Sequence, residues 1–206
     1  MSLSPSEIER IFREKGFKLS GDQVAKFALY LEEILRWNRV HNLVGDREPG
    51  RIVERHFLDS LTLVRCFEDV GVDWKGRTVA DVGSGAGFPG VPLKIYLKDI
   101  KITLIEASSK RCSFLEYLKT KIGEDYSVLC VRAEKVAERF DIVVARALGE
   151  FEEIAPLLEG LSRDYVFVMK GSKIKDTWTD RTGYRPYLVK ETGSFILWKR
   201  ITPPSR

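Results

Sequence analysis

Apolar residues recur at helical spacing through the first third of the chain and in short strand-like runs through the rest. In residues 5–16, Ile8, Ile11 and Phe12 share one side, with Ser6 placed as a cap, Glu9 three residues on and Gly16 as a stop. From Ser20 to about Leu43, the stripe Val24, Phe27, Ala28, Leu31, Ile34 and Leu35 predicts a longer helix. Continued, it reaches Asn38 and Asn42, whose amides at core-facing positions must either bind backbone at the helix end or line a site. Residues 46–50 read as a turn and Ile52 to Val70 as another helix carrying Arg55-His56-Phe57-Leu58-Asp59-Ser60. Gly71 to Gly76 is a linker.

From Arg77 the period changes. Strand-like runs at Thr78–Val82, Ile100–Ile105, Ser127–Val131, Asp141–Ala145 and Tyr165–Met169 alternate with helical stretches at Val91–Leu97, Ser109–Ile122, Glu134–Arg139 and Glu150–Leu158. Such alternation predicts a parallel sheet wrapped by helices. Tyr184–Lys190 and Ser194–Ile201 flank Thr192-Gly193 and predict a closing hairpin.

The first strand runs into Gly83, Gly85, Gly87 and Gly90. A strand ending in a glycine-rich turn that opens a helix is a ligand-binding corner, because glycine permits positive φ and close approach to the main chain. The Gly-x-Gly-x-Gly spacing and the preceding Asp81 favour S-adenosylmethionine over a dinucleotide. A carboxylate there would repel a pyrophosphate on a helix N-terminus and would suit a methionine ammonium; the alternative is that Asp81 only caps the turn. Glu106, ending the second strand 23 residues after Gly83, is placed to accept ribose hydroxyls or, alternatively, to cap the helix at Ser108-Ser109. Ala133-Glu134 follows the third strand, where a backbone amide can read a purine edge. Phe88 is either a cofactor contact or a core aromatic. Arg146 closes the fourth strand and is costly to bury unpaired, so it either meets a structural carboxylate or, the favoured alternative, points into the crevice toward cofactor or substrate; its guanidinium stays protonated and so cannot be a base. These features predict an α/β, Rossmann-like class I S-adenosylmethionine-dependent methyltransferase. Its sheet would be mostly parallel with an antiparallel C-terminal hairpin, and residues 77–206 would carry a helical extension, 1–76, packed on them.

Composition refines this picture. No apolar run among the 206 residues approaches the about 20 of a membrane span. The start, Met1-Ser-Leu-Ser-Pro-Ser6, has no basic-then-apolar leader pattern, so a cytoplasmic protein is expected. Cys66, Cys112 and Cys130 are odd in number and far apart, and are expected to be buried thiols, with no metal site. Net charge is +4, but from Lys170 onward nine Lys/Arg face three acids, leaving the body slightly acidic. That asymmetry points to a polyanion or to an ordinary solvated surface.

Taken together, Trp37-Asn38-x-x-x-Asn42-Leu43, Arg55-His56-x-Leu58-Asp59-Ser60, Asp81-Val-Gly-Ser-Gly-Ala-Gly-Phe-Pro-Gly-Val-Pro-Leu93, Lys110-Arg111, Ala133-Glu134, Arg146-Ala147 and Lys170-Gly171 resemble the glucose-inhibited division protein B family. These are small-subunit ribosomal RNA guanine-N7 methyltransferases. Val44 stands where the family usually has Thr, Glu106 where it often has Asp, and Ala145 where it often has Ser. The resemblance implies cofactor contacts at Gly83, Phe88, Ala133, Glu134 and Arg146, to which the corner adds Asp81, Gly85 and Glu106. It implies 16S ribosomal RNA or the small-subunit particle as partner, no membrane, a monomer, and S-adenosylhomocysteine as product. Arg146, His56, Asn38, Asn42, Lys170 and Arg55 are the candidates for orienting the base. Arg36, Arg39, Arg47, Arg51 and Arg55, with the basic 170–206 stretch, are the candidates for holding phosphates. A small-molecule methyltransferase and a non-catalytic RNA-binding module remain as rival readings.

Overall fold

A computed structural model describes residues 3–171 and 182–201. The chain opens with α1 (Pro5–Glu14) and α2 (Gly21–Asn38), both started by capping boxes. The first box is built by Ser4 and Glu7, two residues ahead of the expected Ser6 and Glu9. Pro5 explains the shift, since proline fits the first helical position, where its missing N–H is not needed. The second box uses Ser20 and Gln23, and Gln23 Nε2 also donates to the carbonyls of Ile95 and Tyr96 (3.0 and 3.1 Å).

α2 ends at Asn38, short of the expected Leu43. The Asn38 amide replaces the next turn. Its Oδ1 accepts from Leu43 and Val44 N–H (2.8 and 3.1 Å), and its Nδ2 donates to Val44 and Asp46 O (3.1 and 3.3 Å). α3 (Pro49–Ile52) is capped by Glu48 and passes into a π-helical segment, Val53–Leu58, then α4 (Asp59–Asp69). The expected single helix is therefore helical throughout but changes pitch across Arg55 and His56, a feature frequent at functional sites.

Seven strands follow: β1 (Thr78–Val82), β2 (Lys101–Ile105), β3 (Ser127–Leu129), β4 (Phe140–Arg146), β5 (Ser162–Lys170), β6 (Arg185–Val189) and β7 (Ser194–Arg200). They form one sheet in the order β3-β2-β1-β4-β5-β7-β6. The first five are parallel and β7 runs antiparallel to β5 and β6, as the alternation and the closing hairpin predict. α5 (Gly90–Tyr96), α6 (Ser109–Ile122) and α7 (Phe151–Leu161) connect the strands. Between β3 and β4 the expected Glu134–Arg139 helix is only a 3₁₀ turn, Ala133–Lys135.

Strand alternation sends Val79, Ile142 and Val144 to one face, where they join Ile8, Phe12, Phe27 and Phe57 in a core shared with α1–α6. Ala80, Val82, Val143 and Ala145 face the other way, onto Phe151, Leu158 and Leu161 of α7. The N-terminal helices thus bury their apolar stripes directly on the sheet and its helices, with no separate core of their own.

The expectation of three free thiols is corrected: Cys112 and Cys130 form a disulfide that joins the first turn of α6 to the end of β3. Sequence separation hid this pair, because β2 and β3 are neighbours and return the chain to the same edge. Cys66 is a buried free thiol, with burial pushing its pKa to about 12. Among the described residues no helix is long and apolar enough to cross a membrane.

Candidate active site

The C-terminal ends of β1, β2 and β4 meet at the glycine turn. Gly83, Gly85 and Gly87 have φ of +72°, +59° and +101°, the left-handed region that a side chain rarely adopts. A Cβ on Gly83 would lie 2.7 Å from Leu148 Cδ1, so the loop after β4 closes directly onto the turn. Beneath the turn, Tyr30 of α2 donates to Ala86 O (2.5 Å), which locks the helical extension to the corner.

Asp81 is fully buried. Its Oδ2 accepts the Gly90 N–H at the start of α5 (2.9 Å), and its Oδ1 has no protein partner. The carboxyl therefore lies under the turn, not at its surface, and burial pushes its pKa up to about 7. The turn-capping alternative accounts for one oxygen; the other remains unsatisfied, which in a buried site calls for a ligand or water.

Glu106 is also buried. Its Oε2 accepts Gly85 N–H (2.9 Å) and its Oε1 accepts Ser108 N–H (2.8 Å). The capping reading of this acid is met at Ser108, and the bond to Gly85, which neither reading anticipated, braces the glycine turn. Each carboxylate oxygen keeps a second acceptor site. Ala133 and Glu134 lie on the 3₁₀ turn, half-buried and exposed respectively.

Arg146 is the hub on the other side. Its Nη1 donates to Arg55 O (3.1 Å) and Asp59 Oδ2 (3.3 Å), its Nη2 meets His56 Nδ1 (2.9 Å), and its guanidinium lies over the Phe88 ring (4.9 Å). Phe88 is buried and also stacks on His56 and Tyr30 (centroids 5.0 and 5.6 Å). The π-helical segment is what turns both Arg55 O and the His56 ring toward Arg146. Because a guanidinium can only donate, His56 Nδ1 must accept. The proton therefore sits on Nε2, which faces Asp46 Oδ2 at 3.1 Å. The two groups attract at this distance without the alignment of a full hydrogen bond. Burial, then the Arg146 charge, lowers the His56 pKa to about 4, so the ring is neutral near pH 7. Asp59 shifts upward through burial, against the pull of Arg146.

Of the expected base-orienting residues, Arg146 and His56 come together; Arg55 joins them through its carbonyl, while its exposed guanidinium pairs with Asp46 (3.3 Å). Asn38 does not join them: its amide is consumed by the 43–46 backbone, so the first of the two alternatives for this residue holds. Asn42 is exposed in the loop after α2, with its Oδ1 3.5 Å from Arg47 Nη2. Lys170, at the end of β5, shares with Arg55, Leu58, Asp59, Arg146 and Met169 the wall of a cavity of about 640 Å³. Arg36, Arg39 and Arg47 line a second cavity, about 530 Å³, at the C-terminal end of α2. Lys173, Lys175, Arg181 and Arg206, counted in the basic stretch, lie outside the described residues.

Sequence reasoning gave Asp46 and Leu148 no role. Asp46 reaches His56 across a loop and the π-helical segment, and no local periodicity signals that approach. Asp59 did carry a signal, its position three residues beyond His56.

Residues 23–191 match the GidB family model, described as rRNA small subunit methyltransferase G. The chain is 58% identical to a ribosomal RNA small subunit methyltransferase G of Aquifex aeolicus (strain VF5), over 94% of this chain and 100% of that protein. It is 35% identical to the protein of that name from Desulfitobacterium hafniense (strain Y51), over 81% and 71%. A crystal structure of magnesium protoporphyrin IX methyltransferase from Synechocystis PCC 6803 with bound SAM superposes with a TM-score of 0.63 at 15% identity, covering 89% of this chain and 98% of that one. At that identity the likeness speaks for the fold.

Proposed function

The chain belongs to the GidB family, rRNA small subunit methyltransferase G. From that premise we propose that it transfers a methyl group from S-adenosylmethionine to N7 of a guanine in a loop of 16S ribosomal RNA, leaving S-adenosylhomocysteine. The observation that carries the reading is the pairing of two half-sites. A glycine turn braced by Glu106 stands on one side, and the Arg146–His56–Asp59 cluster beside a cavity stands on the other.

The residues of the corner fit the cofactor. Gly85 offers open space where a Cβ would stand, with only Gly83 O within 4 Å. The spare acceptor sites of Glu106 suit ribose hydroxyls. The unsatisfied Asp81 Oδ1 suits a water or an ammonium reached through one. Gly83 and Phe88 would border the methionine end, and Ala133 with Glu134 the adenine. The bound cofactor supplies a methyl on a positively charged sulfur.

Guanine N7 carries an in-plane lone pair and no proton, so the chain has to position the base, not deprotonate it. The geometry agrees with that division of labour: the acceptor nitrogen of His56 is occupied by Arg146, and its other nitrogen faces Asp46. Holding donor and acceptor in line is worth up to about 7–11 kcal/mol of a barrier. Arg146 would orient either the cofactor carboxylate or the base.

N7 lies in the deep groove of A-form RNA, so the target must sit in a loop or leave its stack. Arg39, Arg47, Arg51 and Arg55 are exposed and, with Arg36 and Lys170, would hold phosphates. We read the protein as a cytoplasmic monomer that meets this RNA either alone or within the small-subunit particle.

The test is to incubate the protein with labelled methyl donor and small-subunit RNA or particle and then to identify the modified nucleoside. 7-Methylguanosine is expected, and any other product refutes the reading. Arg146→Ala should lower transfer by at least about a hundredfold with the circular dichroism unchanged. Affinity for the RNA should fall steeply with salt; a small-molecule methyltransferase would have no such affinity.

A further inference from the structure

The cavity of about 640 Å³ lies between the ends of β4 and β5, the π-helical segment with α4, and the β6–β7 turn. Its size falls in the range of about 300–1,000 Å³ usual for small-ligand sites. Phe17, Leu58 and Met169 give it apolar walls. Three carboxylates reach it. Glu191 is engaged by Arg65, and Glu54 is exposed on the solvent face. Asp59 is the third, and it sits beside Arg146 with Oδ2 3.3 Å from Nη1. Its Oδ1 forms no hydrogen bond among the described residues, although its side chain is only 20% exposed.

Spatial order then matters. Asp59 adjoins Arg146, Arg146 lies over Phe88, and Leu148, two residues further along, covers Gly83. The path from carboxylate to guanidinium to glycine turn is therefore continuous. Guanine presents the matching order along its edge: the N2 amino group and N1–H as donors, O6 as acceptor, then N7.

Resting on the reading above, we propose that Asp59 is the specificity-determining residue for the target base, accepting hydrogen bonds from N1–H and the N2 amino group of guanine. Arg146, next to it, donates to O6, and N7 is left pointing at the glycine turn. Adenine turns the lone pair of its own N1 toward the carboxylate and lacks the amino group at C2, so the same carboxylate rejects it. A flipped base is commonly read on this edge, which is free once the base leaves its pair. A site built to bond a donor discriminates strongly against an analogue lacking it, because the buried acceptor is then left unpaired.

The substrate tests this without altering the protein. Small-subunit RNA is prepared with the mapped target guanosine, or with inosine in its place, which lacks only the N2 amino group. For the unaltered protein, kcat/KM on inosine should be lower by about tenfold or more. In Asp59→Asn, transfer to guanosine should fall by a similar factor and the gap between guanosine and inosine should shrink to within about twofold. Purely structural damage would lower both substrates together and leave the gap intact, which would overturn the assignment, as would equal rates on the two RNAs with the unaltered protein. A methylated product other than 7-methylguanosine would remove the underlying reading and this inference with it. 7-Methylguanosine with no inosine gap would remove the inference alone.

Discussion

Replacing His56 with glutamine should flatten the acid limb of the stability curve. The imidazole is held between a donor it must accept from, Arg146 Nη2, and an acceptor it donates toward, Asp46 Oδ2. Its ring is stacked on Phe88 and its side chain is 17% exposed. Burial and the Arg146 and Arg55 charges oppose protonation and outweigh Asp46, so the pKa falls from 6.5 to about 4. The unfolded chain therefore takes up a proton at this residue before the folded one does. The stability contributed by the neutral ring is fully present above pH 6.5 and is lost as pH falls through 4. At about 1.4 kcal/mol per tenfold in proton affinity, the loss is about 3 kcal/mol near pH 4. Glutamine keeps one acceptor and one donor but does not titrate. Urea unfolding of both proteins between pH 7 and pH 4 measures the difference, which removes the common contribution of the carboxylates. The unaltered protein should lose about 3 kcal/mol more than His56→Gln across that window. Parallel curves would refute the burial and charge argument, and with it the neutral, Nε2-protonated ring.

Two further outcomes are expected. Glu106→Ala removes the carboxylate that accepts the Gly85 and Ser108 amides; S-adenosylmethionine affinity, measured by titration calorimetry, should weaken by at least about tenfold, and unchanged affinity would deny the carboxylate its ribose role. The Cys112–Cys130 bridge closes a loop with a sequence separation of 18. Reduction should therefore lower unfolding free energy by about 3 kcal/mol and should have no effect on a Cys112→Ser, Cys130→Ser double variant.

Much of this molecule was legible before folding was considered. Short continuous apolar runs such as Ile142-Val-Val-Ala145 and helical stripes such as Val24 to Leu35 are local, and each maps onto an element through backbone geometry alone. The glycine corner was legible for the same reason: positive φ at Gly83, Gly85 and Gly87 is a property of a few consecutive residues. Contacts between segments were not legible. The reach of Asp46 to His56, the closure of Leu148 on Gly83, and the Cys112–Cys130 bridge each join residues whose separation along the chain carries no period. Asn38 makes the point in one residue. Its spacing announced a polar group on a buried face, but only the path of the following loop decided that backbone, and not substrate, would satisfy it. Arg146 is the converse case. Its place at the end of a strand marked it as a charge in need of a partner or a crevice, yet its partners come from a π-helical segment about 90 residues earlier, brought there by packing of the N-terminal helices on the sheet. Local sterics and apolar periodicity choose elements, whereas burial of a shared core chooses which polar groups finally meet.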